Sequence, residues 1–474
     1  MGTTDVLFLL PPTSLYERYG KFASGGNKAA PMGICILASV IMKYGLKCRI
    51  IDSEVERLDF NKIISRINAL SPRYVCMSAN TITINSANKI IAYLKEKKPH
   101  TQIILGGPHI TAAPVETFEK YPLLDIAVIG ESEETLLELI KAKEEKKSYK
   151  KIKGIIYRDN KKIVLTEKRE LIKDLNKLPF PSWNLLPNIA KNYEPPLFSF
   201  QNKPSCSLVT SRGCPGQCIF CVKNIFGFKF RSYNSSYMVG MVEYLIKKYD
   251  MKDFLFDDDI FTCSKIRVKN FSEKLIKKNI DVSWSCNTRA DAVDEDLLRI
   301  MSKSGCWQIS YGIESGSQRV LDALKKKTTP KKIRDALHWT KKAGIKTKGF
   351  LMVGNPLESK QTLNETLNLI LTSELDDMQF TFFTPLPGTE SFNKIELYGT
   401  LENDWSKMSM WNPVFIPKNT TKKELQEFQR KAIIKFYLRP KIIIRYIELL
   451  IKKPESFRKL FLGFRLVVRI TLKI

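Results

Sequence analysis

The sequence predicts an α/β protein: a doubly wound parallel sheet, then a partial barrel of six β/α units, then a helical, basic C-terminal region. Three observations predict it. Residues 1 to about 145 alternate short, continuous apolar runs with helical periodicity. The same alternation resumes at Ser205 and persists to about Gly388. Beyond about residue 400 the pattern becomes helical and rich in Lys and Arg. Apolar runs buried on both faces and separated by helices are what parallel sheets require.

In the first segment the expected strands are Asp5–Leu10, Lys47–Ile51, Tyr74–Ser78, Gln102–Gly106 and Ile126–Ile129. The expected helices are Gly33–Tyr44, Asp59–Leu70, Ile84–Lys97, Pro114–Lys120 and Glu133–Lys141. Ligands of such sheets bind beyond the carboxyl ends of the strands. The residues there include Pro12, Ser78, Asn80, Gly107, His109, Gly130 and Glu131. No Gly-x-Gly-x-x-Gly follows the first strand, which argues against a nicotinamide dinucleotide. Residues 146–195 read as a linker with a small hairpin around Asp159-Asn160-Lys161 and a Pro-rich stretch, Leu178–Trp183.

Residues 196–400 read as the barrel, with strands Cys206–Thr210, Asp253–Phe256, Val282–Cys286, Gln308–Tyr311, Thr347–Met352 and Gln379–Thr384. A closed eight-unit barrel takes about 250 residues, so six units in an open barrel fit this length better. Its carboxyl ends carry Asp257-Asp258-Asp259, Asn287 with Arg289, Glu314-Ser315 and Gly354. Just past the first strand comes Gly213-Cys214-Pro215-Gly216-Gln217-Cys218-Ile219-Phe220-Cys221. Three thiolates so close in sequence suit three corners of a cubane iron–sulfur cluster, leaving one iron open to an outside ligand. A structural zinc site would want a fourth ligand, and no second Cys pair or Cys-His pair follows at that spacing.

The cysteine run resembles the signature of radical S-adenosylmethionine (SAM) enzymes. Gly106-Gly107-Pro108-His109-Ile110-Thr111 and Asp125–Glu133 resemble the Rossmann-like cobalamin-binding domain found in front of such barrels, as in anaerobic magnesium-protoporphyrin cyclases and class B radical SAM methyltransferases. The resemblance covers about residues 1–400. It implies a [4Fe-4S] cluster on Cys214, Cys218 and Cys221. It implies SAM held by Phe220, Asp257, Asp258, Asn287, Arg289, Glu314, Ser315 and Gly354. It implies cobalamin at Pro12, Ser78, Asn80, Gly107, His109, Gly130 and Glu131. The Asp-x-His-x-x-Gly motif that supplies a cobalt ligand elsewhere is absent. His109 is one of three His in the chain, and it either ligates cobalt or hydrogen-bonds the loop or the corrin edge. The resemblance favours a cobalt without protein His.

The implied chemistry is reductive cleavage of SAM to a 5′-deoxyadenosyl radical, then methylation of an unactivated carbon in a small-molecule or lipid-linked substrate. The electron donor would be flavodoxin- or ferredoxin-like. The alternatives are a cyclase or oxidoreductase without methyl transfer, and a non-catalytic corrinoid or redox sensor. A methylthiotransferase would need a second Cys triplet, yet Cys35, Cys48 and Cys76 stand far apart.

The ten Cys and the lack of an export signal point to a reducing cytoplasm. The net charge of +28 attracts anionic partners or reflects Lys-rich solvated faces. Lys325-Lys326-Lys327 reads as one of those faces. Residues 401–474 form the fourth segment. Its end, with Arg465, Arg469 and Lys473 four apart among apolar residues, either lies peripherally on an anionic membrane or caps the barrel. No run is apolar and long enough for a membrane span, and no nucleic-acid reading motif is present.

Overall fold

The protein is described by a computed structural model over residues 4–26, 28–196 and 198–452. The expected alternation is present, and the strands fall into two large sheets. The first holds β1 (Val6–Leu10), β2 (Cys48–Asp52), β3 (Tyr74–Ser78), β4 (Gln102–Gly106), β5 (Ile126–Val128), β6 (Ile155–Asp159) and β7 (Lys162–Leu165). Their order is β2-β1-β3-β4-β5-β6-β7. The first five strands run parallel, and β6 and β7 add antiparallel to β5. The hairpin placed in the linker by sequence therefore extends the first sheet.

The second sheet begins with β8 (Ser205–Leu208). A short antiparallel pair, β9 (Ser211–Arg212) and β10 (Arg231–Ser232), follows it. The sheet continues with β11 (Asp253–Phe256), β12 (Ser283–Thr288), β13 (Cys306–Glu314), β14 (Lys346–Val353) and β15 (Asp377–Phe382). All six long strands are parallel and in sequence order, and β8 does not pair with β15. This is the open, six-unit half-barrel expected from the length.

Several elements go beyond those expected from the sequence. A helix (Leu15–Tyr19) and a 3-10 turn (Gly20–Gly25) leave the end of β1. A short helix (Pro108–Ala112) occupies the Gly-Pro-His segment. A hairpin of β16 (Gly399–Leu401) and β17 (Phe415–Pro417) begins the C-terminal region. The helices Lys422–Tyr437 and Pro440–Lys452 follow. The expected face of Arg465, Arg469 and Lys473 lies outside the described residues. No helix among the described residues is long and apolar enough to cross a membrane.

Among the ties between the carboxyl edges of the two sheets, three bear on the site. Gly388, after β15, sits at φ +80 with its α-carbon against the backbone of Ala112; a β-carbon there would lie 2.7 Å from Ala112 O. Trp405 packs edge-on against His109, ring centroids 4.4 Å apart. The third tie is ionic. Arg212 and Arg231 stand directly opposite each other across β9–β10, both buried. Like charges so placed repel. Glu131, from the end of β5, accepts from Arg212 Nη1 (3.1 Å) and Arg231 Nη1 (2.8 Å), and also from Ile172 N (2.8 Å). Glu133 accepts from Arg212 Nη2 (2.5 Å).

Removing one carboxylate from this buried set strands a charge. Glu131→Ala is expected to lower unfolding stability by about 3–5 kcal/mol, far more than substitution of an exposed pair such as Lys331–Asp335. Urea unfolding midpoints of the two variants check this.

Candidate functional site

The cysteine loop is hung between β9 and β10. Cys214 N donates to Gly227 O (3.4 Å), Ile219 N to Leu324 O (3.2 Å) and Ser391 N to Ile219 O (3.0 Å), so the loop is fastened to the fourth and sixth units as well. Gly216 N donates to Cys214 Sγ (3.4 Å). A β-carbon on Gly216 would stand 3.2 Å from Cys214 Sγ and 4.0 Å from Cys218 Sγ, so glycine leaves open the space between the thiols. Among the described residues no three His, Cys, Asp or Glu side chains converge as one metal ion would require. Cys218 and Cys221 lie within hydrogen-bond reach of each other, and Cys214 and Cys218 flank the gap that Gly216 leaves. Three thiols around such a gap suit a cluster with a separate metal at each thiol.

The surroundings of the thiols are cationic. Arg289 Nη1 lies 3.9 Å from Cys218 Sγ. Its other nitrogens are held in a fork by Asp291 (2.8 and 2.7 Å) and by Lys326 O (2.6 Å). Lys326 itself is buried and pairs with the buried Glu314 at 2.7 Å. Of the Cys218–Cys221 pair, the first thiolate forms at a depressed pKa. The hydrogen bond from Cys221 lowers the Cys218 pKa, and the charges of Lys326 and Arg289 add to this against burial. Burial opposes the charge of Lys326, but Glu314 and the Cys218 thiolate hold it protonated.

Lys326 was read in the sequence as part of a solvated lysine tract, and the fold corrects this. Lys325 and Lys327 both take left-handed φ, +52 and +54, and between them Lys326 is turned inward. Glu314, also left-handed at φ +64 next to an irregularity in β13, provides its ion-pair partner. The pattern that marks it is the distance from the fourth strand rather than the lysine run.

The remaining barrel-end residues divide. Asp257 is exposed at the carboxyl end of β11 and accepts from Asn287 Nδ2 (2.6 Å). It opens to solvent but is walled by protein, and dehydration by those walls, aided by Asp258, raises its pKa. Asp258 points the other way. It accepts from Thr210 Oγ1 (2.6 Å), Ser211 N (3.1 Å) and Arg267 Nη2 (3.4 Å), so its carboxylate is fully engaged in the wall. Ser315 is wholly buried and shares a hydrogen bond with Thr366 (3.0 Å), which removes it from the opening. Phe220 is half-buried and lies edge-on to Phe383, centroids 6.5 Å apart. Gly354, at φ +84, is backed by Leu425 of the C-terminal helix. Its N–H and that of Asn355 (3.1 Å) donate to the buried Glu358, a residue the sequence did not single out.

At the first sheet's edge, His109 is buried. Its Nδ1 meets Thr81 Oγ1 at 3.2 Å, and Nε2 has no hydrogen-bond partner among the described residues. Burial first, and the Lys120 charge second, push its pKa down to about 4, so it is neutral. The Trp405 ring across its edge seats it in the domain contact. Asn80 closes a turn by accepting from Ile82 N and Thr83 N (3.0 Å each). Gly107 backs against Ser78 and Ala79. Gly130, at φ +79, has open space where a side chain would project. Pro12 is half-buried at the end of β1. The orphaned His109 Nε2 and the open cradle at Gly130 fit a bulky ligand with polar arms. Glu131, expected at that ligand, is fully engaged by Arg212 and Arg231 instead.

Glu358 gives a pH signature. Burial raises its pKa from 4.5 to about 7. The folded state therefore holds a proton that the unfolded state releases, and stability falls as pH rises between these values. Thermal midpoints are expected to drop from pH 5 to 8, and Glu358→Gln is expected to flatten that slope.

Residues 22–140 match the B12 binding domain family, and residues 208–370 match the Radical SAM superfamily. An uncharacterised methyltransferase, PH0819, of Pyrococcus horikoshii is 31% identical over 450 residues, covering 94% of this chain and 95% of that protein. The anaerobic magnesium-protoporphyrin IX monomethyl ester cyclase of Cereibacter sphaeroides is 28% identical, covering 88% of this chain and 69% of that one. Among solved structures, the cobalamin-dependent SAM radical enzyme OxsB with aqua-cobalamin bound superposes with TM-score 0.76 at 17% identity, over 98% of this chain and 72% of that one. The radical SAM methyltransferase TsrM from Kitasatospora setae, with cobalamin and [4Fe-4S] cluster bound, gives 0.68 at 15% identity, over 92% and 90%. The half-barrel with its cysteine loop, facing a B12-type sheet, and the full-length relative agree: this chain belongs to the cobalamin-binding radical SAM enzymes.

Proposed function

We propose that the protein methylates an unactivated carbon of a small-molecule or lipid-linked substrate, with Cys214, Cys218 and Cys221 holding a [4Fe-4S] cluster. The observation that carries this is the facing of two sites. Three thiols beside two fixed cations lie at one carboxyl edge, and the orphaned His109 Nε2 with the open Gly130 lies at the other. When bound, the cluster supplies the electron that cleaves SAM, and the corrinoid supplies a transferable methyl group.

The chain's own residues then have defined tasks. Arg289 and Lys326 offset the negative charge of the thiolates and of a SAM carboxylate. Asp257, oriented by Asn287, accepts the SAM ammonium. Phe220 and the Gly354 backbone flank the adenine. Glu314 holds Lys326 in place and offers its free oxygen to the ribose. Asp258 and Ser315 keep the wall in shape. Ser78, Asn80, Gly107, Gly130 and His109, with Pro12 beside them, bind the corrinoid. The domain contacts at Gly388 and Trp405 keep bulk water from the space between. The surplus of positive charge suits an acidic flavodoxin- or ferredoxin-like electron donor.

A second outcome, ring closure without methyl transfer, is favoured by the similarity to the magnesium-protoporphyrin cyclase. Trideuteromethyl-SAM separates the two. Protein reconstituted anaerobically with iron, sulfide and hydroxocobalamin is expected to bind corrinoid and to release 5′-deoxyadenosine. Cys218→Ala is expected to lower that release at least about a hundredfold. Transfer of three deuteriums to a compound in small-molecule or lipid extracts supports methylation. Deoxyadenosine release with an extract compound altered but unlabelled overturns it in favour of ring closure.

A further inference from the structure

Among the described residues, the helix Pro440–Lys452 is fastened to the half-barrel by one face. Arg439, just before it, donates to Ile370 O (3.1 Å), Leu371 O (3.3 Å) and Leu375 O (3.0 Å), closing the C-terminal end of the helix Lys360–Thr372. Ile442 is buried, Arg445 pairs with Asp376, and Tyr446 lies near Phe198. The other face carries Ile443, Ile444, Ile447 and Ile451, between 42% and 75% exposed. Ile443, Ile447 and Ile451 are four apart and form one row; Ile444 widens it. Leu438, 62% exposed, extends the apolar surface toward the preceding helix, where the exposed Lys431 and Lys435 precede it by seven and three residues and so share its side; Lys441 is exposed and also donates to Ser373 O (3.2 Å), and one acid, Glu448, is exposed on the helix. Scattered surface isoleucines mean nothing, but a row of this kind on one helix marks a contact surface.

Charge selects among occupants. Residues 453–474, which lie outside the described residues, contain six Lys or Arg and one Glu. Docking that basic stretch on a lysine-bordered face sets like charge against like. A second copy of a chain with net charge +28 meets the same repulsion. A nucleic acid offers the charge but no apolar medium for the isoleucines. An anionic bilayer offers both: acyl chains for the row and headgroups for the lysines.

We propose that the Ile443–Ile451 face docks the protein on an anionic lipid bilayer, with Lys431, Lys435 and Lys441 at the headgroups. The contact does not depend on methyl transfer, and its test is read without turnover. The reconstituted full-length protein is pelleted with sucrose-loaded vesicles of phosphatidylcholine alone or with about one third phosphatidylglycerol. Binding to the anionic vesicles is expected, weakening with salt. Ile444→Asp/Ile447→Asp is expected to reduce it at least about tenfold with the thermal midpoint unchanged, and Lys431→Gln/Lys435→Gln to reduce its salt dependence. Inorganic phosphate at matched ionic strength is expected not to compete, which separates a bilayer from a phosphate site. Equal pelleting with neutral vesicles, no pelleting with anionic ones, or wild-type binding by the Asp variant overturns the proposal. So does a dimer in light scattering that the Asp variant abolishes, since the occupant would then be a second copy. If the Asp variant unfolds, the single Ile451→Ser variant replaces it; Ile451 is 75% exposed and contributes little to the fold.

Discussion

Two arginines that face each other across a two-residue strand pair are the constraint on which the rest depends. Arg212 and Arg231 frame the cysteine loop, and neither is exposed enough to be neutralised by water. A strand pair so short has too few hydrogen bonds to hold two guanidinium groups together by itself. Glu131 and Glu133 make it possible, and they come from the other domain. The loop that presents the thiols therefore reaches its shape only when the first sheet is in place. The same contact ends at Gly130, which has open space where a side chain would project. One ion network thus sets the separation between the two reactive regions, and preorganisation of that kind is what radical chemistry needs to suppress side reactions.

A second charged pair works inside the barrel. Burying Lys326 is costly unless Glu314 meets it, and burying Glu314 is costly unless Lys326 meets it. Space for the pair exists because Gly312 has no side chain: a β-carbon there would stand 2.7 Å from Glu314 Oε1 and 2.8 Å from Lys326 Nζ. The backbone of Lys326 also accepts from Arg289. Two cations near the thiolates are therefore linked through the Lys326 backbone. Left-handed φ at Glu314, Lys325 and Lys327 is the local strain that this arrangement carries.

Much of this was legible in the sequence, for identifiable reasons. Strands buried on both faces leave continuous apolar runs, so β3, β4 and β11 fall at the residues expected. Parallel strands need crossovers, so the helices between them followed. The carboxyl ends could be located because the fold puts all of them on one side. What the sequence could not supply was direction. Asp257 and Asp258 are neighbours, yet one faces the opening and the other the wall. Glu314 and Ser315 are both buried, yet one pairs with Lys326 and the other with Thr366. Glu131 looked like a ligand-edge residue because Gly130 is one; its partners lie about 80 and 100 residues further on, and only the tertiary fold brings them near. Lys326 was hidden because three lysines in a row normally mean solvent. The helix Pro108–Ala112 was missed because Gly-Gly-Pro reads as a turn, although Pro at the first helical position favours a helix start.

The position of His109 bears on the cobalt question. A His that ligates cobalt must present a nitrogen along an open line to the metal. His109 is instead locked between Thr81 and the edge of Trp405, and Lys120 sits 4.2 Å over the same indole. Trp405 comes from the C-terminal region, so this region closes over the first sheet as well as packing on the barrel. Freeing the imidazole would require removing Trp405 from a core cluster that also contains Met408. Nothing in the ordinary breathing of a packed core supplies that. The neutral ring is buried with Nε2 unpartnered among the described residues, and under the proposed function that nitrogen would serve a polar arm of the corrinoid rather than cobalt. Trp405 would then couple the C-terminal region to the cofactor edge.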